Sequence, residues 1–135
     1  TLHYVGVMGP KGSNPQDGTA YRVVGSVFGG HAADGLLTPR ADVNLSGIPD
    51  GASNTLLFAE LSWTGTKSYR TWQRGCEEVG SSSSPQGGAC QAVKNVAYGP
   101  KVYKFDGGGD FNDVSVGSNH GGGFNAAFGD GGVRF

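Results

Sequence analysis

The chain has 135 residues with a formal charge of -1 and an isoelectric point near 6.2, which fits one domain and leaves no basic footprint for nucleic acid. Its longest purely apolar run, Leu56-Leu57-Phe58-Ala59, is far too short to span a bilayer, so no membrane insertion by this chain is expected. Glycine is the outlier at 26 residues, yet 7 Phe, 5 Tyr and 2 Trp argue against the disorder that such a composition would otherwise suggest. The opening at Thr1, with no signal sequence in view, is that expected of a processed product or a fragment.

In chain order, Leu2 to Met8 alternates in part and reads as a strand closed by Gly9-Pro10. Lys11 to Gly18 is a polar loop, and Tyr21 to Phe28, rich in β-branched and aromatic residues, predicts a second strand. Gly29 to Gly35 turns into Leu36-Leu37, and Ile48-Pro49-Asp50-Gly51 is a further turn. Thr55 to Trp63 fits a helix through Leu56, Leu57, Glu60 and Leu61, and equally a strand through Thr55, Leu57, Ala59 and Leu61. Tyr69 to Gln73 predicts a strand, as does Ala92 to Phe105, broken at Gly99-Pro100. Phe124 to Phe128 and Val133 to Phe135 flank Gly129-Asp130-Gly131-Gly132, a strong hairpin signal. Asp-Gly recurs at Asp17, Asp34, Asp50, Asp106 and Asp130 with irregular spacing, which is turn chemistry rather than a repeat.

Cys76 and Cys90 flank a Ser/Gly-rich segment that has little to hold it together, and they lack the spacing of a zinc or redox motif. A disulfide between them is expected, and with it an oxidising, extracytoplasmic location. Asp106, Asp110, Asn112 and Asp113 lie on a glycine-rich backbone that could wrap a hard cation, so Ca²⁺ is the expected cofactor if there is one. The alternative is an acidic surface loop whose aspartates make turns. Ser118, His120 and Asp130 contain the letters of a catalytic triad, but no nucleophile elbow surrounds a serine, and no enzyme activity is expected. Asn44-Leu45-Ser46 is a formal glycosylation sequon, of a kind that also arises by chance.

Two long blocks and one short one share a resemblance. His120 is followed by nine residues and then Asp130-Gly131, with Val133-Arg134-Phe135 beyond, and upstream stands Ile48-Pro49-Asp50-Gly51-Ala52-Ser53-Asn54-Thr55-Leu56-Leu57-Phe58-Ala59-Glu60. With Tyr4-Val5-Gly6 these resemble the bacterial prepilin-processing-associated proteins named for a His-X-nine-Asp-Gly signature. The resemblance implies a pilin- or pseudopilin-like surface protein, here as a globular head without the long N-terminal helix. On that reading Asp50, Gly51, Ser53, Asn54, Glu60, His120, Asp130 and Gly131 define the fold, with Glu60 buried and paired, an arginine being one partner considered.

The expected fold is mainly β (β-rich α+β): residues 1–135 form one antiparallel-sheet domain with many Asp-Gly turns, one or two short helices and a C-terminal β-hairpin. The expected role is a structural subunit of an extracellular, cell-surface filament, pilus-like or tubular. Its partner would be itself, as a homopolymer stabilised by calcium. The alternative is a secreted glycan- or surface-binding module, with Trp63, Trp72, Tyr69 and Tyr98 as the stacking aromatics.

Overall fold

The computed structural model describes residues 3–39, 42–62, 75–77, 79–81, 84–100 and 111–135. Its strands are β1 (Tyr4–Pro10), β2 (Val23–Val24), β3 (His31–Ala32), β4 (Leu56–Glu60), β5 (Val79–Ser81), β6 (Ser84–Gly87), β7 (Val93–Tyr98), β8 (Asp113–Ser115), β9 (Ala126–Phe128) and β10 (Val133–Arg134). The helical content among the described residues is three 3₁₀ turns, Val27–Gly29, Leu45–Gly47 and Ala52–Asn54. No described helix is long and apolar enough to cross a membrane.

Six strands form the main sheet in the order β10-β9-β4-β1-β7-β8, and β2-β3 and β5-β6 make two small ribbons. From β10 to β1 the pairing is antiparallel, whereas β1-β7 and β7-β8 are parallel. The expected antiparallel sheet is therefore mixed. Alternating sequence patterns do not encode strand direction, and parallel neighbours need only a long crossover, here residues 99–112 between β7 and β8. The predicted strand at 21–28 shrinks to Val23–Val24, because Gly25 and Phe28 take positive φ values of 70° and 54°. The helix-or-strand segment is strand β4. A register shift between Leu56 and Phe58 accounts for an apolar run without clean alternation. The predicted strand at 69–73 and the part of the predicted 92–105 strand beyond residue 100 lie outside the described residues.

β1 is central and covered on both faces. Val5 packs with Leu61 and Val114, and Val7 with Ala59 and Val116, backed by Leu56, Val96 and Phe124. Met8 points the other way, into Ala32, Cys90 and Val93. Cys76 and Cys90 form a disulfide with their Cα atoms 4.0 Å apart, and the Cys90 end is fully buried. Closing a loop of this length stabilises by about 3 kcal/mol.

The β7–β8 side of the sheet is polar inside. Asn95, Asn112, Asp113 and Lys94 are all at most 3 % exposed. Asn112 Nδ2 donates to the carbonyls of Gly30 (3.0 Å) and Gly88 (2.7 Å), and its Oδ1 accepts from Cys90 N–H (2.7 Å). Asn95 Nδ2 donates to Gly30 O (3.0 Å) and Asp113 Oδ1 (2.7 Å), and its Oδ1 accepts from Ala32 N–H (2.8 Å). Lys11 Nζ pairs with Asp113 Oδ2 and also donates to Gly29 O at 2.9 Å. Lys94 Nζ donates to Phe111 O at 2.8 Å and lies 3.6 Å from the centre of its ring. The segment they grip, Phe28-Gly29-Gly30, has three successive positive φ values (54°, 89° and 68°). Glycine is required at 29, where a Cβ would stand 3.0 Å from the Asp113 carboxylate.

Beside the β2-β3 ribbon, Asp34 accepts from Arg22 N–H (2.8 Å) and Arg22 Nε (2.9 Å). Partial burial pushes the Asp34 carboxyl up, but the hydrogen bonds and charge of Arg22 outweigh it and hold the group below its usual range. A carboxylate depressed on folding contributes stability above its unfolded pKa of about 4, and that contribution disappears as the pH falls through the folded value.

Asn112→Ala leaves Cys90 N–H buried without its acceptor and takes one donor each from Gly30 O and Gly88 O, and is expected to cost about 2–4 kcal/mol in urea unfolding. The paired Cys76→Ser/Cys90→Ser variant is expected to lose about 3 kcal/mol in the same assay. Losses under about 1 kcal/mol would show that these groups do not hold the fold.

Candidate functional site

The two long sequence blocks meet across β4 and β9. Gly51, at φ 79°, opens the 3₁₀ turn Ala52–Asn54, with Asn54 N–H donating to Gly51 O at 3.0 Å and Asn54 Nδ2 to Asp50 O at 3.0 Å. Thr55 Oγ1 donates to Gly51 O at 3.1 Å, and the chain then enters β4. The closing hairpin mirrors this arrangement. Asp130 Oδ1 accepts from Gly132 N–H (2.8 Å), Gly131 takes φ 83°, and Phe128 and Gly132 bond across the turn at 2.9 Å. Arg134 ties the blocks together: its Nη2 donates to Ser53 O at 2.9 Å, and its guanidinium lies 4.3 Å from the Phe128 ring centre.

At the other end of β4 stands a cleft of about 330 Å³ lined by His3, Glu60, Leu61, Ser62, Gly117, Ser118, Asn119 and His120. Backbone bonds place these groups: Leu61 N–H donates to His3 O (2.8 Å), Gly117 N–H to Glu60 O (2.9 Å) and Glu60 N–H to Asn125 O (3.0 Å). Glu60 is 9 % exposed. Its Oε2 accepts from Asn125 N–H (2.6 Å) and Nδ2 (3.1 Å), while its Oε1 lies 3.6 Å from His120 Nε2. The described partners of the buried Glu60 are thus Asn125 and His120 in place of the considered arginine. His120 is mostly exposed, with its ring edge-on to Phe135 at 6.3 Å. The cleft offers a carboxylate, two imidazoles, and the hydroxyl and amide of Ser62 and Asn119, which bond each other at 2.9 Å.

The letters of a triad are not assembled. Ser118 Oγ donates to Gly123 O (2.7 Å) and accepts from His120 N–H (3.1 Å), so it shapes the loop, and Asp130 sits in the hairpin turn. Of the acidic-loop set, Asp106 and Asp110 lie outside the described residues. Asn112 and Asp113 are buried, and their acceptor atoms are engaged by Cys90, Lys11 and Asn95. Among the described residues no group of three His, Cys, Asp or Glu could hold a metal ion. Asn44 is exposed, and its Oδ1 accepts from Ser46 N–H (3.1 Å) and Ser46 Oγ (2.8 Å) in the 3₁₀ turn. Trp63, Tyr69 and Trp72 lie outside the described residues, and Tyr98 is half-buried on β7.

One face of the sheet carries an apolar row. Gly6 pairs with Phe58, Phe58 with Ala127 and Ala127 with Val133, which puts these side chains on the same face. Gly6 is roofed, since a Cβ there would stand 2.6 Å from Val93 and 2.7 Å from Leu37. Further along, Phe58 is 44 % exposed and Val133 69 %. β10 is an outer strand, and among the described residues it has no partner on the side away from β9.

No curated protein and no solved structure matches the chain. A family model described as "Protein of unknown function (DUF1559)" matches residues 2–135, which takes in the sheet, the cleft and both sequence blocks. The chain belongs to that bacterial family.

Proposed function

We propose that this protein is a structural, self-associating subunit of an extracellular, cell-surface assembly, of the prepilin-processing-associated kind. The observation that carries the reading is the β10 edge, open among the described residues, beside an exposed apolar row. An outer strand offers unpaired N–H and C=O groups to a second strand, and natural sheets commonly guard such edges with charge, proline or a bulge. Here the edge bears Val133, at 69 % exposure, with Phe135 at 70 % just beyond it and Phe58 one strand further in. A second copy adding its own β10 would bring main-chain hydrogen bonds and cover these side chains together.

Other features agree with this reading. The family is often associated with pilin-like proteins. The disulfide suits an oxidising compartment. Many residues of the two sequence blocks bond to main-chain groups, as suits residues that shape the fold.

Sedimentation velocity of the purified chain, with and without added calcium, tests this. Association that strengthens with concentration is expected, and Val133→Lys should lower its association constant at least about tenfold. The stability of the fold should change by no more than about 0.5 kcal/mol, because the site is on the surface. A monodisperse monomer at high concentration in both buffers would contradict the proposal.

A further inference from the structure

The two halves of the disulfide sit in different surroundings. Cys76 and Cys90 face each other across an antiparallel bridge. Glu77 N–H to Ala89 O (3.0 Å) and Gln91 N–H to Gly75 O (2.8 Å) flank it, so the cysteines form a non-hydrogen-bonded pair, where side chains approach closely. Cys90 is fully buried against Met8 and Ala32, and its N–H donates to Asn112 Oδ1 at 2.7 Å. Cys76 is exposed.

A titratable ring lies against the buried sulfur. His31, on β3 and 4 % exposed, has its Nε2 3.4 Å from Cys90 Sγ. The same nitrogen is 3.0 Å from Gly88 O and 3.1 Å from Gly88 N. Gly88 O also accepts from Asn112 Nδ2 at 2.7 Å, so the polar set that holds Cys90 also holds the imidazole's partner.

A disulfide is cut when a thiolate attacks one sulfur and the other leaves. Solvent meets the Cys76 side, so Cys76 Sγ is the sulfur attacked and Cys90 Sγ the one expelled. A thiolate expelled into a buried site is a poor leaving group, because desolvation disfavours its charge. His31 Nε2 is placed to offset this with a charge-assisted hydrogen bond to the sulfur.

We propose that Cys76–Cys90 is a thiol-exchange site, at which a thiolate from solvent forms a mixed disulfide on Cys76 while His31 stabilises the Cys90 thiolate. The incoming sulfur bonds Cys76 Sγ, the Cys76–Cys90 bond breaks, and its electron pair stays on Cys90 Sγ beside protonated His31. One disulfide replaces another, so no oxidant is consumed. Asn112 keeps Cys90 in place, and reverse attack by its thiolate restores the original bond and expels the thiol. This site is separate in sequence and sheet from the β10 edge and does not rest on self-association. A small thiol and a cysteine of another protein share the chemistry.

The probe is reduced glutathione, added to the folded oxidised protein; samples are quenched in acid, unfolded, alkylated with N-ethylmaleimide and mapped by mass spectrometry. Glutathione on Cys76 with ethylmaleimide on Cys90 is expected in excess of the reverse pattern by at least about tenfold. In a folded His31→Gln variant the exchange should slow at least about fivefold. In Cys76→Ser, the lone Cys90 should show thiolate ultraviolet absorbance at about pH 7, below the ordinary thiol pKa of about 8.5, and His31→Gln added to it should remove that absorbance. A reduced Cys-x-x-Cys protein in place of glutathione separates the two sources: faster reaction per thiolate assigns the site to a protein thiol, and slower reaction to a small one. Adducts on Cys90, equal labelling of both cysteines, or exchange no faster than global unfolding would overturn the proposal. So would an unchanged rate in folded His31→Gln. Should His31→Gln fail to fold, the adduct position and the Cys76→Ser absorbance decide.

Discussion

The structure depends on a buried set of amides and one ion pair that hold backbone lying outside the strand ladders. Phe28-Gly29-Gly30 and the stretch around Gly88 to Cys90 carry carbonyls and N–H groups inside the domain, where no ladder partner exists. Buried main-chain groups left unpaired cost about 1–3 kcal/mol each, so their bonding is a condition of the fold. Asn95 and Asn112 meet that condition with atoms at both ends of each amide, and Asp113 and Lys11 close the set with a charge pair. The disulfide enters the same cluster, since Cys90 N–H is one of the groups bonded by Asn112. The loops that cover Met8 on one face of β1 are thereby fixed to the parallel half of the sheet.

The antiparallel half is built differently. There the Asp50–Asn54 turn and the Asp130-Gly131 turn set the ends of neighbouring strands, and Arg134 joins them through Ser53. Glu60 does the corresponding work at the other end of β4, where its carboxylate holds Asn125 and leaves one oxygen toward His120. Two sequence blocks about sixty residues apart thus become one structural unit, with a polar cleft at one end and an apolar edge along its side that is open among the described residues.

Much of this was legible in the sequence where the signal is local. Gly129-Asp130-Gly131-Gly132 between two short apolar runs specifies a hairpin, and a hairpin is there. Two cysteines on either side of a weakly structured segment gave the disulfide. Strand direction was not legible, because β1-β7 and β7-β8 are joined through long connections that leave no trace in alternation. Nor was the polar knot: Asn112 and Asp113 read as loop acceptors for a cation, while in the fold their side chains turn inward to Gly30, Gly88, Lys11 and Asn95. That two of three scattered histidines line one cleft with Glu60 follows from the β1-β4 register and the Leu61–Gly117 bridge, which only tertiary structure supplies.

The central claim is that the β10 edge is where copies of this chain meet. Hydrogen–deuterium exchange of the main-chain amides of residues 132–135, followed from dilute to concentrated protein, tests it most directly. The account predicts protection of these amides that rises with concentration, while the amides of β1 and β7 stay protected throughout. Exchange at 132–135 that is fast at every concentration, or concentration-dependent protection confined to another surface, would contradict it.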